Sequence, residues 1–256
     1  MEVFLTFKNN EGGGGYGKKI KFPGKYFPEK FITEYYLTNN TNEMSWPWHL
    51  HEGSEGVIVM NILVACEFSG VVRDAFIRCG HNAVSCDKDD TNVYGPHIRG
   101  DVLPLLEYEW DMIIAHPPCT FLANSGVRWY HERKQEEDTE RAAVFFNRFL
   151  DTGCLRVCVE NPIQHKYARR YIRKYDQIVQ PWQFGHTERK ATCLWLKGLP
   201  ELVETDNVYE EMIRLPKKEQ NRNHYISPSS ERGKLRSITY RGIAEAMAQQ
   251  WGYHEA

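Results

Sequence analysis

The sequence predicts an α/β protein built on a doubly wound, mostly parallel sheet. Three observations carry this. Apolar runs of strand length alternate with segments of helical periodicity from residue 57 to the C-terminus, the pattern of strand-helix-strand crossovers. Several of those runs are continuous rather than alternating, as in strands covered on both faces. The residues that end them include Asp87, Cys119 and Glu160, and ligands of such sheets bind outside the carboxyl ends of the strands.

The first strong run is Val57-Ile58-Val59-Met60-Asn61-Ile62-Leu63-Val64-Ala65-Cys66. Glu67-Phe68-Ser69-Gly70 breaks it, and Val71, Val72, Ala75 and Phe76 then recur at helical spacing as far as Gly80, a suitable C-terminal stop. Residues 82–86 read as a second strand ending at Asp87, and 98–102, with Asp101, as a loop or a short third strand. Residues 110–115 form the strand that delivers Pro117-Pro118-Cys119. A charged stretch over 128–141 grades into a helix over 142–150, followed by a β run over 155–159 that is expected to stop at Glu160-Asn161-Pro162. Residues 177–181 and 191–197 are two further strands around the turn Phe184-Gly185-His186. Residues 200–234 read as polar and irregular, and Ile243, Ala246, Met247 and Trp251 mark a last helix over 241–251.

At 256 residues and 41% apolar composition the chain can bury one sizeable core. Residues 1–59 stand apart: glycine-rich and aromatic, with no sustained apolar period and hence no assigned fold or reason to be well ordered. They form an extension of unknown role before a domain over 60–256. A net charge of −2 excludes a broadly basic protein that coats nucleic acid, though not a local basic groove. Seven cysteines without C-x-x-C spacing and ten histidines without H-E-x-x-H point to neither a disulfide framework nor a metal site. A reducing, cytoplasmic setting is expected. No apolar run reaches membrane-spanning length and the N-terminus lacks a signal-peptide core, so no membrane association is expected.

Cys119 follows a proline pair where an apolar strand stops. The prolines stiffen the turn and forbid a helix, presenting a thiol that could serve as a nucleophile or, as free cysteines commonly do, as a small hydrophobe. Glu160 closes another apolar strand, where desolvation would raise its pKa toward that of a useful general acid; a solvated turn glutamate is the plainer alternative. The loop Glu67-Phe68-Ser69-Gly70 has the form of a nucleotide-end binding loop, in which glycine permits close backbone approach and the helix start offers amide donors. Asp87, on the next strand, stands where an acidic side chain can accept ribose hydroxyls. The chain has no G-x-G-x-x-G and no lysine-bearing phosphate loop. This favours a ligand with ribose and adenine but no phosphate, namely adenosylmethionine; Asp101 could accept from its adenine amino group.

The ordered set Phe68-Ser69-Gly70, Asp87, Gly100-Asp101, Pro117-Pro118-Cys119, Glu160-Asn161, Phe184-Gly185 and Gly242-Ile243-Ala244-Glu245-Ala246 resembles the DNA (cytosine-5) methyltransferases, most closely their short phage and prophage versions. The resemblance covers residues 60–252. It implies the class I, Rossmann-like fold of adenosylmethionine-dependent methyltransferases and methyl transfer to carbon 5 of cytosine in DNA. Cys119 would be the nucleophile and Glu160 the acid that protonates ring nitrogen 3 of a base flipped from the helix. Glu67, Phe68, Ser69, Gly70, Asp87, Asp101 and Pro117 would line the cofactor site, and Pro118, Asn161 and Arg189 or Lys190 would hold the base. The chain departs from the family pattern at His116, where glycine is common, at Thr120 and Pro162, and at Arg189-Lys190, where the family has two spaced arginines. The region for target recognition is reduced to about 199–236, with Lys217, Lys218, Arg222 and Asn223 as base readers; Arg169, Arg170, Arg173 and Lys174 could hold phosphates. The same chemistry on RNA or a modified nucleotide, or a catalytically silent nucleic-acid-binding relative, are the alternatives.

Overall fold

The computed structural model describes residues 58–253, apart from the side chains of 126, 128 and 129, together with the backbone of three N-terminal strands. Those strands, β1 (Glu2–Asn9), β2 (Tyr16–Lys21) and β3 (Glu34–Leu37), form a small sheet in the order β2-β1-β3, with β1 antiparallel to β2 and parallel to β3. Val57 and the N-terminal aromatics Phe22, Tyr26, Phe27, Trp46 and Trp48 lie outside the described residues.

The main sheet has seven strands: β4 (Asn61–Ala65), β5 (Asn82–Asp87), β6 (His97–Arg99), β7 (Met112–Ala115), β8 (Val157–Pro162), β9 (Gln177–Val179) and β10 (Thr192–Lys197). Their order is β6-β5-β4-β7-β8-β10-β9. Pairing is parallel from β6 to β8, whereas β10 runs antiparallel to both β8 and β9. Helices α1 (Val71–Arg78) and α6 (Arg241–Gly252) bury Phe76, Met247 and Trp251 against Ile62, Val64, Met112 and Ile114 on one face. On the other, α2 (Glu136–Leu150) and the 3-10 turn Leu103–Glu107 bury Phe146, Phe149 and Leu105 against Leu63, Ala65, Ile113 and Trp195. This is the doubly wound, Rossmann-like α/β architecture that the sequence predicts. Strand order reverses between β4 and β7, so the switch point opens where Cys66 and His116 leave the sheet, the place such folds reserve for ligands.

Four boundaries differ from the sequence reading. β4 begins at Asn61 because its neighbours supply ladder partners only from there; Ile58 and Val59 are exposed. α2 begins at Glu136, six residues early, since Glu136, Glu137 and Asp138 in its first turn complement the helix dipole without contributing to an apolar stripe. β8 does not stop before Glu160. It continues through Pro162 because β10 pairs it to the end, Leu194 opposite Glu160 and Cys193 opposite Asn161. Residues 200–234 are not irregular throughout but carry α3 (Tyr209–Arg214), α4 (Lys217–Gln220) and the start of α5 (Arg232–Ser237), each too short to show periodicity.

Candidate active site

The register of β7 and β8 builds the centre of the site. β7 pairs with β8 only as far as Ala115 opposite Val159, and β8 then runs on beside a partner that has already turned away. Glu160 therefore meets His116, the first residue past β7, with Nδ1 3.2 Å from Oε2. Thr239 Oγ1 donates to the same carboxylate oxygen at 3.1 Å. The next residue, Asn161, is buried and donates through Nδ2 to the Pro117 carbonyl at 2.7 Å. One strand thus fixes the first half of the His116-Pro117-Pro118-Cys119 turn. Leu122 and Ala123 close it further by donating their amides to the Cys119 carbonyl at 3.0 and 2.9 Å.

Cys119 is half-buried rather than presented openly, and Pro118 beside it is exposed. Burial pushes the thiol pKa up, while the positive charges of Lys190 and Arg236 draw it down. Lys190 is the residue on which the two sequence-predicted catalytic groups converge. Its ammonium donates to the Ile238 carbonyl at 3.1 Å, lies 5.5 Å from the Tyr240 ring centre, and interacts with the charges of both Glu160 and Cys119. Arg189 is exposed, so of the two basic candidates it is Lys190 that turns inward. Glu188, just before them, binds Tyr240 and Arg222, which ties the short 3-10 turn Arg222–His224 to this wall of the site.

Glu160 carries a lowered pKa rather than the raised one that burial alone would give. Desolvation does push it up, but the His116 hydrogen bond and charge, Lys190 and Thr239 together outweigh that and hold it below the usual carboxylate range. The converse holds at His116: burial favours the neutral ring, yet Glu160 and Glu67 raise the imidazole above its ordinary value. These neighbours favour the ionised form of Glu160 and the protonated form of His116.

The loop after β4 is organised differently from the sequence expectation. Glu67 is buried, and its carboxylate accepts the amides of Val72 and Arg73 at 2.7 and 3.3 Å and the Ser69 hydroxyl at 3.2 Å. The Asp74 amide goes to the Gly70 carbonyl. The amides at the start of α1 are therefore occupied from within the chain, and a buried carboxylate stands where a phosphate would need free donors. That geometry suits a ligand without phosphate. Gly70, at φ +71°, is required by packing: a Cβ there would lie 2.4 Å from Arg73 Nη2 and 2.6 Å from Val93. Arg73 is fully buried beneath the loop, reaching Ser85 and the carbonyls of Tyr94 and Pro96. The Phe68 carbonyl accepts the Asn92 amide while its ring is buried under the Lys234 ammonium, 6.0 Å away.

Asp87 ends β5 at the same edge; one oxygen accepts the Asp89 amide at 2.9 Å, and the other has no hydrogen-bond partner among the described residues. Asp101 is exposed and accepts the Leu103 amide, a local turn contact. The structure thus gathers Cys119, Glu160, Asn161, Pro117 and Lys190 into one cluster, and Glu67, Phe68, Ser69, Gly70 and Asp87 at the adjacent strand ends. His116, Thr239, Arg73 and Arg236 were not singled out from sequence as site groups. Only His116, placed directly before the prolines, had a signal that could have marked it.

No protein-family model matches the chain, and no curated protein is significantly similar to it. Among solved structures it is similar to the Entamoeba histolytica methyltransferase EhMeth, with 14% identity and a TM-score of 0.37. The match covers 59% of this chain and 58% of that one, so it spans less than two thirds of EhMeth, and a likeness of that size carries no argument about activity. Among the described residues no helix is long and apolar enough to cross a membrane, and no group of three or more His, Cys, Asp or Glu side chains could hold a metal ion.

Proposed function

We propose that this chain transfers a methyl group to carbon 5 of cytosine in DNA, with adenosylmethionine as donor and Cys119 as a transient covalent nucleophile. The observation that carries the reading is that β8 sets Glu160 and Asn161 against His116 and Pro117, at the head of the turn that bears Cys119, beside the topological switch point. Adenosylmethionine, when bound, would supply an electrophilic methyl group, its sulfur keeping the electron pair of the broken sulfur–methyl bond as it leaves as a neutral thioether. Asp87 with the phosphate-excluding Glu67 loop would hold its nucleoside end.

The chain's residues then act on the pyrimidine. The Cys119 thiol releases its proton to solvent, helped by Lys190 and Arg236, and the sulfur forms a bond to carbon 6. The ring's 5,6 π bond breaks and its electron pair becomes available at carbon 5. A proton delivered to ring nitrogen 3 through Glu160, which takes one up from its surroundings as the ring becomes more basic, offsets the charge that develops, an effect worth about 10²–10⁴ in rate for a positioned general acid. Once carbon 5 holds the methyl group, its hydrogen leaves to solvent as a proton, the carbon–sulfur bond breaks and nitrogen 3 gives its proton back. Lys190 stays beside both groups throughout, as a fixed positive charge in a water-poor site.

The test is methyl transfer from labelled adenosylmethionine into cytosine-containing DNA by the wild type and by Cys119→Ser. Transfer should fall by at least about 10³-fold in the variant, because a hydroxyl near its ordinary pKa is a far weaker nucleophile than a thiolate, while cofactor binding by calorimetry persists. Full transfer by Cys119→Ser would remove the mechanism. Labelling only RNA or free nucleotide would replace the substrate, and binding without transfer to any substrate would favour a silent relative.

A further inference from the structure

We infer that His116 stores the proton that Glu160 delivers, so that the general acid of this site is a two-residue unit. The inference rests on the cytosine-methylating role proposed above and names how its acid step is supplied.

Two contacts bear on the proton. The imidazole Nδ1 lies 3.2 Å from Glu160 Oε2, and both side chains are largely shut away from solvent. Thr239 also donates to Oε2, which favours the ionised carboxylate. The charged groups facing the ring are Glu160 from β8, Glu67 from the loop after β4 and Lys190 from the segment before β10. Two carboxylates against one ammonium favour a cationic ring.

The proton balance follows. Before the base enters, the pair carries one proton: His116 is imidazolium and Glu160 carboxylate. As sulfur bonds to carbon 6, ring nitrogen 3 becomes more basic. The Nδ1 proton passes to the Glu160 carboxyl and from there to nitrogen 3, leaving His116 neutral, Glu160 ionised and the ring carrying the proton. Collapse of the adduct returns it by the same route. No proton has to come from water for this step, and Glu160 need not be neutral in the free protein.

The experiment combines single-turnover transfer with adduct formation on 5-fluorocytosine DNA, both followed from pH 5 to 9 in wild type and His116→Asn, which retains a polar side chain but cannot hold an exchangeable positive charge. The wild type should lose activity on the alkaline side as His116 deprotonates, above pH 6.5. His116→Asn should transfer about 10²-fold more slowly at pH 8 and recover toward pH 5, the general-acid range. Overlapping pH profiles would overturn the role of His116 while leaving the cytosine reading intact; absence of any adduct in the wild type would instead remove that reading. If His116→Asn does not fold, nitrogen-15 chemical shifts of the wild-type histidine at pH 7 decide the matter. A doubly protonated His116 ring that becomes neutral in Glu160→Gln supports the pair, and a neutral ring in the wild type overturns it.

Discussion

At the scale of single residues, the site shows how neighbours reverse what burial alone would dictate. Glu160 is as buried as its apolar strand implies, yet it is ionised because a histidine, a lysine and a threonine face it. Sequence could place Glu160 at a strand end but could not show that Thr239, 79 positions away, would reach it. The titration has consequences for stability. A lowered carboxylate pKa stabilises the fold above its ordinary value of 4.5, and this is lost as pH falls through the folded value. A raised imidazole pKa stabilises below 6.5 and is lost as pH rises through its folded value. The pair should therefore contribute most between pH 4.5 and 6.5. In urea titrations the gap in midpoint between wild type and His116→Asn should be widest in that window and shrink on either side. Lys190→Met should slow methyl transfer by about 10-fold or more, since loss of a desolvated charge partner costs several kcal/mol; transfer at the wild-type rate would show that the ammonium does not assist the thiol.

At the scale of elements, strands were more legible than the contacts that lock them. The continuous apolar runs located β4, β5, β7, β8 and β10 because strands buried on both faces need such runs. The proline pair fixed where β7 ends, but pairing by β10, which no local pattern records, decided where β8 ends. Glycines illustrate the same division. Gly70 invited a ligand-approach reading, and its actual neighbour is the guanidinium of Arg73. Gly70→Ala should destabilise by about 1–3 kcal/mol from left-handed strain alone, with the overlap adding to it. Gly242 lies in α6 with helical backbone, where alanine would ordinarily gain up to about 1 kcal/mol. Here a Cβ would fall 1.9 Å from the Phe184 carbonyl oxygen, and such overpacking costs about 1–3 kcal/mol, so Gly242→Ala should also destabilise. Denaturant midpoints for the two variants check both signs.

At the scale of the whole molecule, the segment from Arg222 to Tyr240 crosses from one half of the site to the other. Lys234 pairs with Asp89 near the end of β5, Arg236 influences Cys119, the Ile238 carbonyl receives Lys190, and Thr239 reaches Glu160. The family resemblance presented this stretch, as far as about 236, as part of a reduced recognition region because so few residues stand there. Its role in completing the site was illegible, since every one of those contacts is long-range. The Lys234–Asp89 pair is solvent-exposed, so Lys234→Ala should leave the urea midpoint essentially unchanged; a clear shift would mean that this crossing segment holds the fold together. The doubly wound topology places the switch point at the ends of β4 and β7, where ligands of such folds bind, and the proposed nucleophile is the sulfur beside it. The most direct measurement is mass spectrometry of the protein incubated with adenosylmethionine and DNA containing 5-fluorocytosine. The account predicts a stable adduct on the peptide that carries Cys119, absent from Cys119→Ser; an unmodified Cys119 in a preparation that nonetheless methylates cytosine would contradict it.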